Sequence, residues 1–217
     1  MNSTNFVVII PIKSLDSAKS RLRNVLEKKD RVNLIVNMFL KVLNASVNSI
    51  ATKVWVISKD KMFKDIALYL NAVWVDDKGY GLNQILNDSL REAYKQHLTP
   101  IYIPSDLPFI DCNDINKAIN LSNNGNDFVF SPAYNQGGTN LIIAPNSSKF
   151  CIKLGVQSLT SHTEQIIQSS LKFSYCREDG LAFDLDTVDD LNYYKQIKPD
   201  IIKNLMQDYF LNYSTIS

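Results

Sequence analysis

Glycine is scarce in this chain, 7 residues of 217, and the phosphate-cradling pattern GxxxxGK[ST] occurs nowhere. The chain is therefore not a P-loop nucleotide binder, and any phosphate site must use side-chain charge where such a loop uses backbone amides. Cysteine numbers 3, at Cys112, Cys151 and Cys176, widely spaced and without CxxC. That pattern argues against a disulfide frame or a cysteine zinc site and suits a reducing interior. Neither charge sign dominates: Lys+Arg 23 stand against Asp+Glu 22. No global basic field exists to draw in nucleic acid or a membrane surface. The N-terminal apolar run, Phe6 to Ile12, is closed by Lys13. It is too short to span a bilayer and carries no cleavage pattern. Repeats, low-complexity tracts and linkers are absent too. The expectation is one cytoplasmic domain over residues 1–217, with no nucleic-acid or membrane partner.

What is present is an alternation of strand and helix patterns. Phe6–Ile12 reads as a strand covered on both faces. Apolar positions at helical spacing follow over 30–44, with Asp30 as a candidate cap, then a strand at Lys53–Ser58. A helix near 60–70, a strand at 72–75, a helix from Leu82 to Tyr94 and a central strand at Ile101–Ile103 come next. The second half predicts a helix at 112–121 capped by Asp111 and a strand at 127–131. A strand at 141–144 is a candidate antiparallel excursion, and a helix starts near Ser161. A short strand at Leu181–Phe183, a helix at 188–196 and a C-terminal helix at about 200–211 complete the reading. This is an α/β chain with a three-layer, mostly parallel, doubly wound sheet and right-handed crossovers.

Three carboxylates stand out. Pro104 and Pro108 stop regular structure on both sides of Asp106, just past the carboxyl end of the central strand, where open α/β sheets bind ligands. Asp184 and Asp186 lie two apart at a predicted strand end, so an extended backbone sends both to one side. The competing reading makes Asp186 a helix cap, which leaves Asp184 unexplained. Gathered together, the three would repel a triphosphate unless divalent cations reverse the sign, and magnesium, a hard ion taking oxygen ligands, is the natural candidate. After the first strand, Lys13, Lys19 and Arg21 fall within nine residues among hydroxyls. They either form a solvated basic loop or face the phosphates of a nucleotide.

These motifs, taken in order, resemble the 2-phospho-L-lactate guanylyltransferase family of coenzyme F420 biosynthesis, which includes phosphoenolpyruvate guanylyltransferases. The resemblance is carried by Pro11-Ile-Lys13 with Ala18-Lys-Ser-Arg-Leu22, by Gly81-Leu-Asn83, and by Pro104-Ser-Asp-Leu-Pro108. Gly138-Thr-Asn140, Gly155-Val-Gln-Ser158 with His162, and Arg177 with Gly180-Leu-Ala-Phe-Asp-Leu-Asp-Thr187 extend it to about residue 191. The resemblance implies a nucleotidyltransferase fold of the glycosyltransferase-A type. It implies that Asp106, Asp184 and Asp186 hold Mg²⁺, with Lys19 beside them in catalysis. Lys13, Lys19, Arg21, Gly81, Asn83 and Ser105 would face GTP, and Thr139, Asn140, Gly155 and Ser158 a phosphorylated three-carbon acid. That acid is 2-phospho-L-lactate, phosphoenolpyruvate or 3-phosphoglycerate. Its phosphate is already ionised, so the reaction needs no general base, which suits a chain with only His97 and His162. His97 reads as a surface residue, His162 as helix-start packing or a contact to the acid, and Tyr102, Trp55 and Trp74 as core.

Three other readings stay open at this point. One is a nucleotidyltransferase acting on a sugar phosphate or pterin, though such relatives usually carry the missing Gly-rich loop. Another is a glycosyltransferase using Asp184-Leu-Asp186 as DxD. The last is a non-catalytic nucleotide-binding protein. A homodimer is a further expectation, with Ile201, Leu205, Tyr209 and Phe210 either at the interface or packed on the chain's own core.

Overall fold

In the computed structural model, residues 5–15, 18–134 and 137–209 are described. The elements run β1 (Phe6–Pro11), α1 (Lys28–Val47), β2 (Lys53–Ser58), α2 (Lys61–Tyr69), β3 (Val73–Asp76), α3 (Leu82–Lys95), β4 (Thr99–Tyr102) and α4 (Cys112–Leu121). Then come β5 (Phe128–Pro132), β6 (Thr139–Ile143), α5 (Ser158–Gln168), β7 (Phe173–Tyr175), a helical turn α6 (Asp179–Ala182), α7 (Val188–Ile197) and α8 (Pro199–Leu205). The sheet order is β3-β2-β1-β4-β6-β5-β7. β1 pairs in parallel with β2 and β4, and β2 with β3. β6 runs antiparallel to β4 and β5, and β7 is parallel to β5.

β1 shows why the sheet is covered on both sides. Val8 and Ile10 join one core cluster with Ile35 and Phe39 of α1 and Phe63 of α2, while Val7 and Ile9 join another with Leu86 and Leu90 of α3. Alternate side chains of a strand point to opposite faces, so an uninterrupted apolar run needs a helical layer on each. α1 is buried beyond the stripe that its spacing predicts, because a third cluster joins its Leu34 and Met38 to Tyr194 of α7 and Ile202 and Leu205 of α8. Asn33 and Asn37 are buried on α1 as well, and the Asn37 amide donates to the carbonyls of Leu205 and Gln207, 2.9 Å each. The open carbonyls at the end of α8 are satisfied in this way. Of the candidate interface residues, Leu205 is buried in the chain's own core and Ile201 and Tyr209 pack against it, whereas Phe210 lies outside the described residues.

Several boundaries differ from the sequence-based expectations. α1 begins at Lys28, so Asp30 sits in its first turn and does not cap it. α5 begins at Ser158, three residues early, after Gln157 takes a left-handed backbone (φ 54) that turns the chain into the helix. The strand expected at Leu181–Phe183 is the helical turn α6 instead, and the seventh strand is Phe173–Tyr175. Leu181 is buried in the core from that turn, so apolar content there reflects packing and not sheet pairing. The last helix ends at Leu205, and residues 210–211 of its expected span are not described.

Candidate active site

A cleft of about 680 Å³ opens at the carboxyl ends of the parallel strands. That is within the usual range of small-molecule sites, about 300–1,000 Å³. β1 leads into Ile12 and Lys13, β2 into Lys59, β3 into Asp77 and β4 into Pro104, Ser105 and Asp106, all on its wall. β6 runs the other way, so its first residues, Thr139 and Asn140, arrive at this same edge. Gly81, Gly155, Ser158, Asp184 and Asp186 complete the residues that the sequence brought forward. One does not join them. Asn83 is off the wall, its amide turned to the backbone of Leu154.

The acidic edge is held by backbone and caps. Leu185 N–H donates to the Asp106 carbonyl at 3.1 Å, which ties the two acidic segments together. The Tyr194 hydroxyl donates to the Asp184 carbonyl at 2.8 Å. The helix α7 is capped by Thr187, whose hydroxyl accepts from Asp190 N–H, while the Asp190 carboxylate accepts from Thr187 N–H and from Asp186 N–H. This capping box settles the competing reading of Asp186: its carboxylate is not used as a cap. Asp184 accepts from the Asn140 amide at 3.2 Å, and that amide also donates to the Ala182 carbonyl.

Lys19 stands between two of the three carboxylates, with Nζ 2.5 Å from Asp106 Oδ2 and 2.5 Å from Asp186 Oδ1. Its backbone is left-handed (φ 50), uncommon for a residue with a side chain, and such local strain is typical of functional sites. Burial alone would lower the Lys19 pKa, but the charges of Asp106 and Asp186 outweigh it and raise the pKa. Burial, with the nearby Asp186 charge, raises Asp106 despite Lys19. For Asp186 burial acts upward as well, but Lys19 and then Arg21 hold it below the usual carboxylate value. Asp184 has no such partner, and burial plus the Asp106 charge push it up to about 6. The site therefore carries more negative charge than its one ammonium neutralises.

Three oxygen-bearing side chains are the donor type that a hard divalent cation takes, and burial disfavours the ionised form of two of them, Asp106 and Asp184. Among the described residues, no group of three or more His, Cys, Asp or Glu side chains is placed so that it could hold a metal ion. The ammonium of Lys19 stands between two of the three carboxylates. Lys13 and Arg21 line the cleft as well, so all three predicted basic residues reach it. Asp16 and Ser17 of this segment lie outside the described residues.

Beyond Thr139 and Ser158, a strap of chain leads to Gly155; of the residues that hold it, Asn87 and Gln165 escaped sequence reasoning, and Asn83 and His162 were singled out for other roles. Asn83 and Asn87, one turn apart on α3, pair with the backbone N–H and C=O of Leu154 and Ile152. From α5, Gln165 does the same for Cys151, and His162 Nε2 accepts from Lys153 N–H at 2.9 Å. Amide side chains here replace the partners of a sheet ladder, and the strap delivers Gly155 to the cleft. Gly155 has φ +145, a conformation that favours glycine. The available signal was the Asn pair at i, i+4 on an otherwise amphipathic helix. Lys59, Asp77 and Tyr102 on the wall were also not anticipated as site residues. His97 is exposed as expected, and Trp55 and Tyr102 are buried.

The sheet and its covering helices form a fold shared with nucleotide-diphospho-sugar transferases. A protein from Desulfovibrio desulfuricans G20 described as a nucleotide-diphospho-sugar transferase superposes with a TM-score of 0.75 at 20% identity, over 91% of this chain and 89% of that one. The narrower assignment comes from sequence. Residues 6–194 match the family model "Guanylyl transferase CofC like", and the chain belongs to that family. It is 29% identical over 184 residues to the phosphoenolpyruvate guanylyltransferase of Rubrobacter xylanophilus, covering 84% of this chain and 90% of the relative. It is 28% identical over 186 residues to the 2-phospho-L-lactate guanylyltransferase of Methanocaldococcus vulcanius, covering 85% and 82%.

Proposed function

We propose that the protein transfers GMP from GTP to a phosphorylated three-carbon acid (2-phospho-L-lactate, phosphoenolpyruvate or 3-phosphoglycerate) with release of pyrophosphate, a step of coenzyme F420 biosynthesis. The observation that carries this reading is the make-up of the cleft. Asp106, Asp184 and Asp186 share one cleft with the cations Lys13, Lys19 and Arg21 and with the uncharged donors Thr139, Asn140 and Ser158, and Lys19 pairs with Asp106 and Asp186.

Lys13 and Arg21 hold the β- and γ-phosphates, and the Ser105 hydroxyl and the Gly81 turn flank the nucleotide. Thr139, Gly155 and Ser158 seat the acid with its phosphate towards the α-phosphorus. One oxygen of that phosphate bonds to the α-phosphorus while the bond from the α-phosphorus to the bridging oxygen of pyrophosphate breaks. The attacking oxygen is ionised at neutral pH, so no proton leaves. Positioning and charge neutralisation then do most of the work. Asp106, Asp184 and Asp186 would hold Mg²⁺, which when bound neutralises phosphate charge. Lys19, beside Asp106 and Asp186, would face the departing pyrophosphate.

A cytoplasmic setting is part of the same reading. No helix among the described residues is long and apolar enough to cross a membrane, and Cys112, Cys151 and Cys176 are all free.

The test is pyrophosphate release with Mg²⁺, crossing GTP, ATP and CTP with the three acids and a no-acid control. Release that requires GTP and one acid is the expected result. Release with sugar phosphates only, or none at all, refutes the proposal.

A further inference from the structure

His162 is fully buried on α5 and does not itself line the cleft, yet it is bonded on both sides. Nε2 lies 2.9 Å from Lys153 N, and Nδ1 lies 3.1 Å from Thr139 Oγ1. A backbone N–H can only donate, so Nε2 must be the bare nitrogen, and the ring proton of the neutral ring sits on Nδ1. That proton points at Thr139 Oγ1. Phe130 stacks on the imidazole (centroids 6.0 Å apart, planes 5° from parallel) and Phe150 packs at 5.7 Å, so the ring cannot turn over without breaking both contacts.

The consequence is a fixed polarity for the hydroxyl pair on the wall. Thr139 Oγ1 and Ser158 Oγ are 3.1 Å apart. With Nδ1–H donating into Thr139, one hydroxyl proton bridges the pair, and the other is left over in either arrangement. It has one place to go, the cleft. The pair therefore presents an O–H donor to whatever sits against it, which suits an anionic oxygen.

We propose that His162 is a positioning residue for the acid substrate: held as the Nδ1–H tautomer, it turns the Thr139–Ser158 hydroxyl pair into a donor aimed at the acid's anionic oxygens. This rests on the reading of that wall as the acid subsite. Burial, and then the Lys153 charge, lower the His162 pKa to about 4, so the ring is neutral wherever the enzyme works.

The experiment separates the ring's two nitrogens. Asn in place of His162 keeps a donor near the Nδ1 position and loses the acceptor for Lys153. Gln reaches the Nε2 position and loses the donor to Thr139. The expected result is that H162Q raises KM for the acid about tenfold or more, the loss of one hydrogen bond in support of a charged ligand, while KM for GTP is unchanged. H162N should keep the acid KM near that of the wild type. The reverse pattern means that His162 only anchors the strap, and unchanged acid KM in both variants removes any role; either result overturns the proposal.

A second measurement needs no substrate. Nitrogen-15 NMR of histidine-labelled wild-type protein at neutral pH should show a neutral ring with its proton on Nδ1. A proton on Nε2, or a charged ring, overturns the assignment by itself. Wild-type protein that turns over none of the three acids refutes the acid reading, and the NMR signal distinguishes that failure from a failure of the tautomer.

Discussion

Replacing Lys19 by Met removes the one cation between Asp106 and Asp186 while keeping most of the side chain's volume. Breaking a fully buried ion pair from one side costs about 3–5 kcal/mol, because a charge is left unpaired in a poor dielectric. Here the two arms differ. The Asp186 side chain is 41% exposed, so water screens it and little is lost there; that of Asp106 is 22% exposed and feels most of the loss. About 2–3 kcal/mol remains, and at about 2–4 °C per kcal/mol for a chain of this size Tm should fall about 5–10 °C at pH 7 in metal-free buffer. Lowering the pH should then help the variant. Without Lys19 the two carboxylates bind a proton more tightly folded than unfolded, so stability rises as pH falls from 7 towards 5. Mg²⁺ should stabilise the variant more than the wild type, since it no longer competes with an ammonium. Differential scanning fluorimetry with EDTA or Mg²⁺ reads all of this. A Tm within 2 °C of the wild type in EDTA, on the order of the scatter expected for a surface change, would refute the argument, as would equal Mg²⁺ shifts in both proteins.

Other outcomes can be stated briefly. The carboxylate substitutions Asp106→Asn, Asp184→Asn and Asp186→Asn should each abolish pyrophosphate release and leave circular dichroism unchanged; wild-type rates in all three would remove the metal-site assignment. Because the folded His162 pKa of about 4 lies below the ordinary value of 6.5, its contribution to stability is complete above pH 6.5 and is lost as pH falls towards 4. That contribution is about 3 kcal/mol at most, and urea titrations of wild type against H162Q should show the acid-side slope only in the wild type. In Gly180→Ala the new methyl would overlap the Asp114 carboxyl and stand 3.0 Å from Ile110 Cα. Asp114 closes the α4 capping box, so a loss of about 2 kcal/mol or more is expected in denaturant titration, and a neutral effect would show that the turn relaxes freely. Asn83→Ala should raise KM for the acid more than for GTP, because the amide holds the strap and not the nucleotide; a selective GTP defect would reverse that assignment.

The parallel half of the fold was legible because its signals are periodic. Lys53–Ser58 is a strand with the predicted bounds, and Leu82 opens the predicted helix at Gly81. Asp106 was legible from its two prolines; Asp184 and Asp186 reach the cleft too, but from the chain that follows a helical turn and not from the strand end on which their spacing was read. What stayed hidden depends on side chains that answer other side chains across long intervals. Nothing local distinguishes Lys19, which reaches Asp106 and Asp186, from Lys13 and Arg21, which also line the cleft. Asn83 looked like part of a nucleotide turn because Gly81 beside it is one of the cleft residues; only the fold shows its amide on Leu154, 71 residues away. The strand at Phe173–Tyr175 is three residues at the sheet margin, too short to leave a pattern, while the buried Leu181 imitated one.

The reversal of β6 has an evolutionary consequence. The residues proposed to face the nucleotide come from the chain up to Asp106 and from Asp184 and Asp186, and the proposed acid pocket is carried by a separate stretch, from the start of β6 through the strap into α5. A lineage could exchange residues 137–162 and with them the acceptor, leaving the donor nucleotide and the chemistry of its activation as they were.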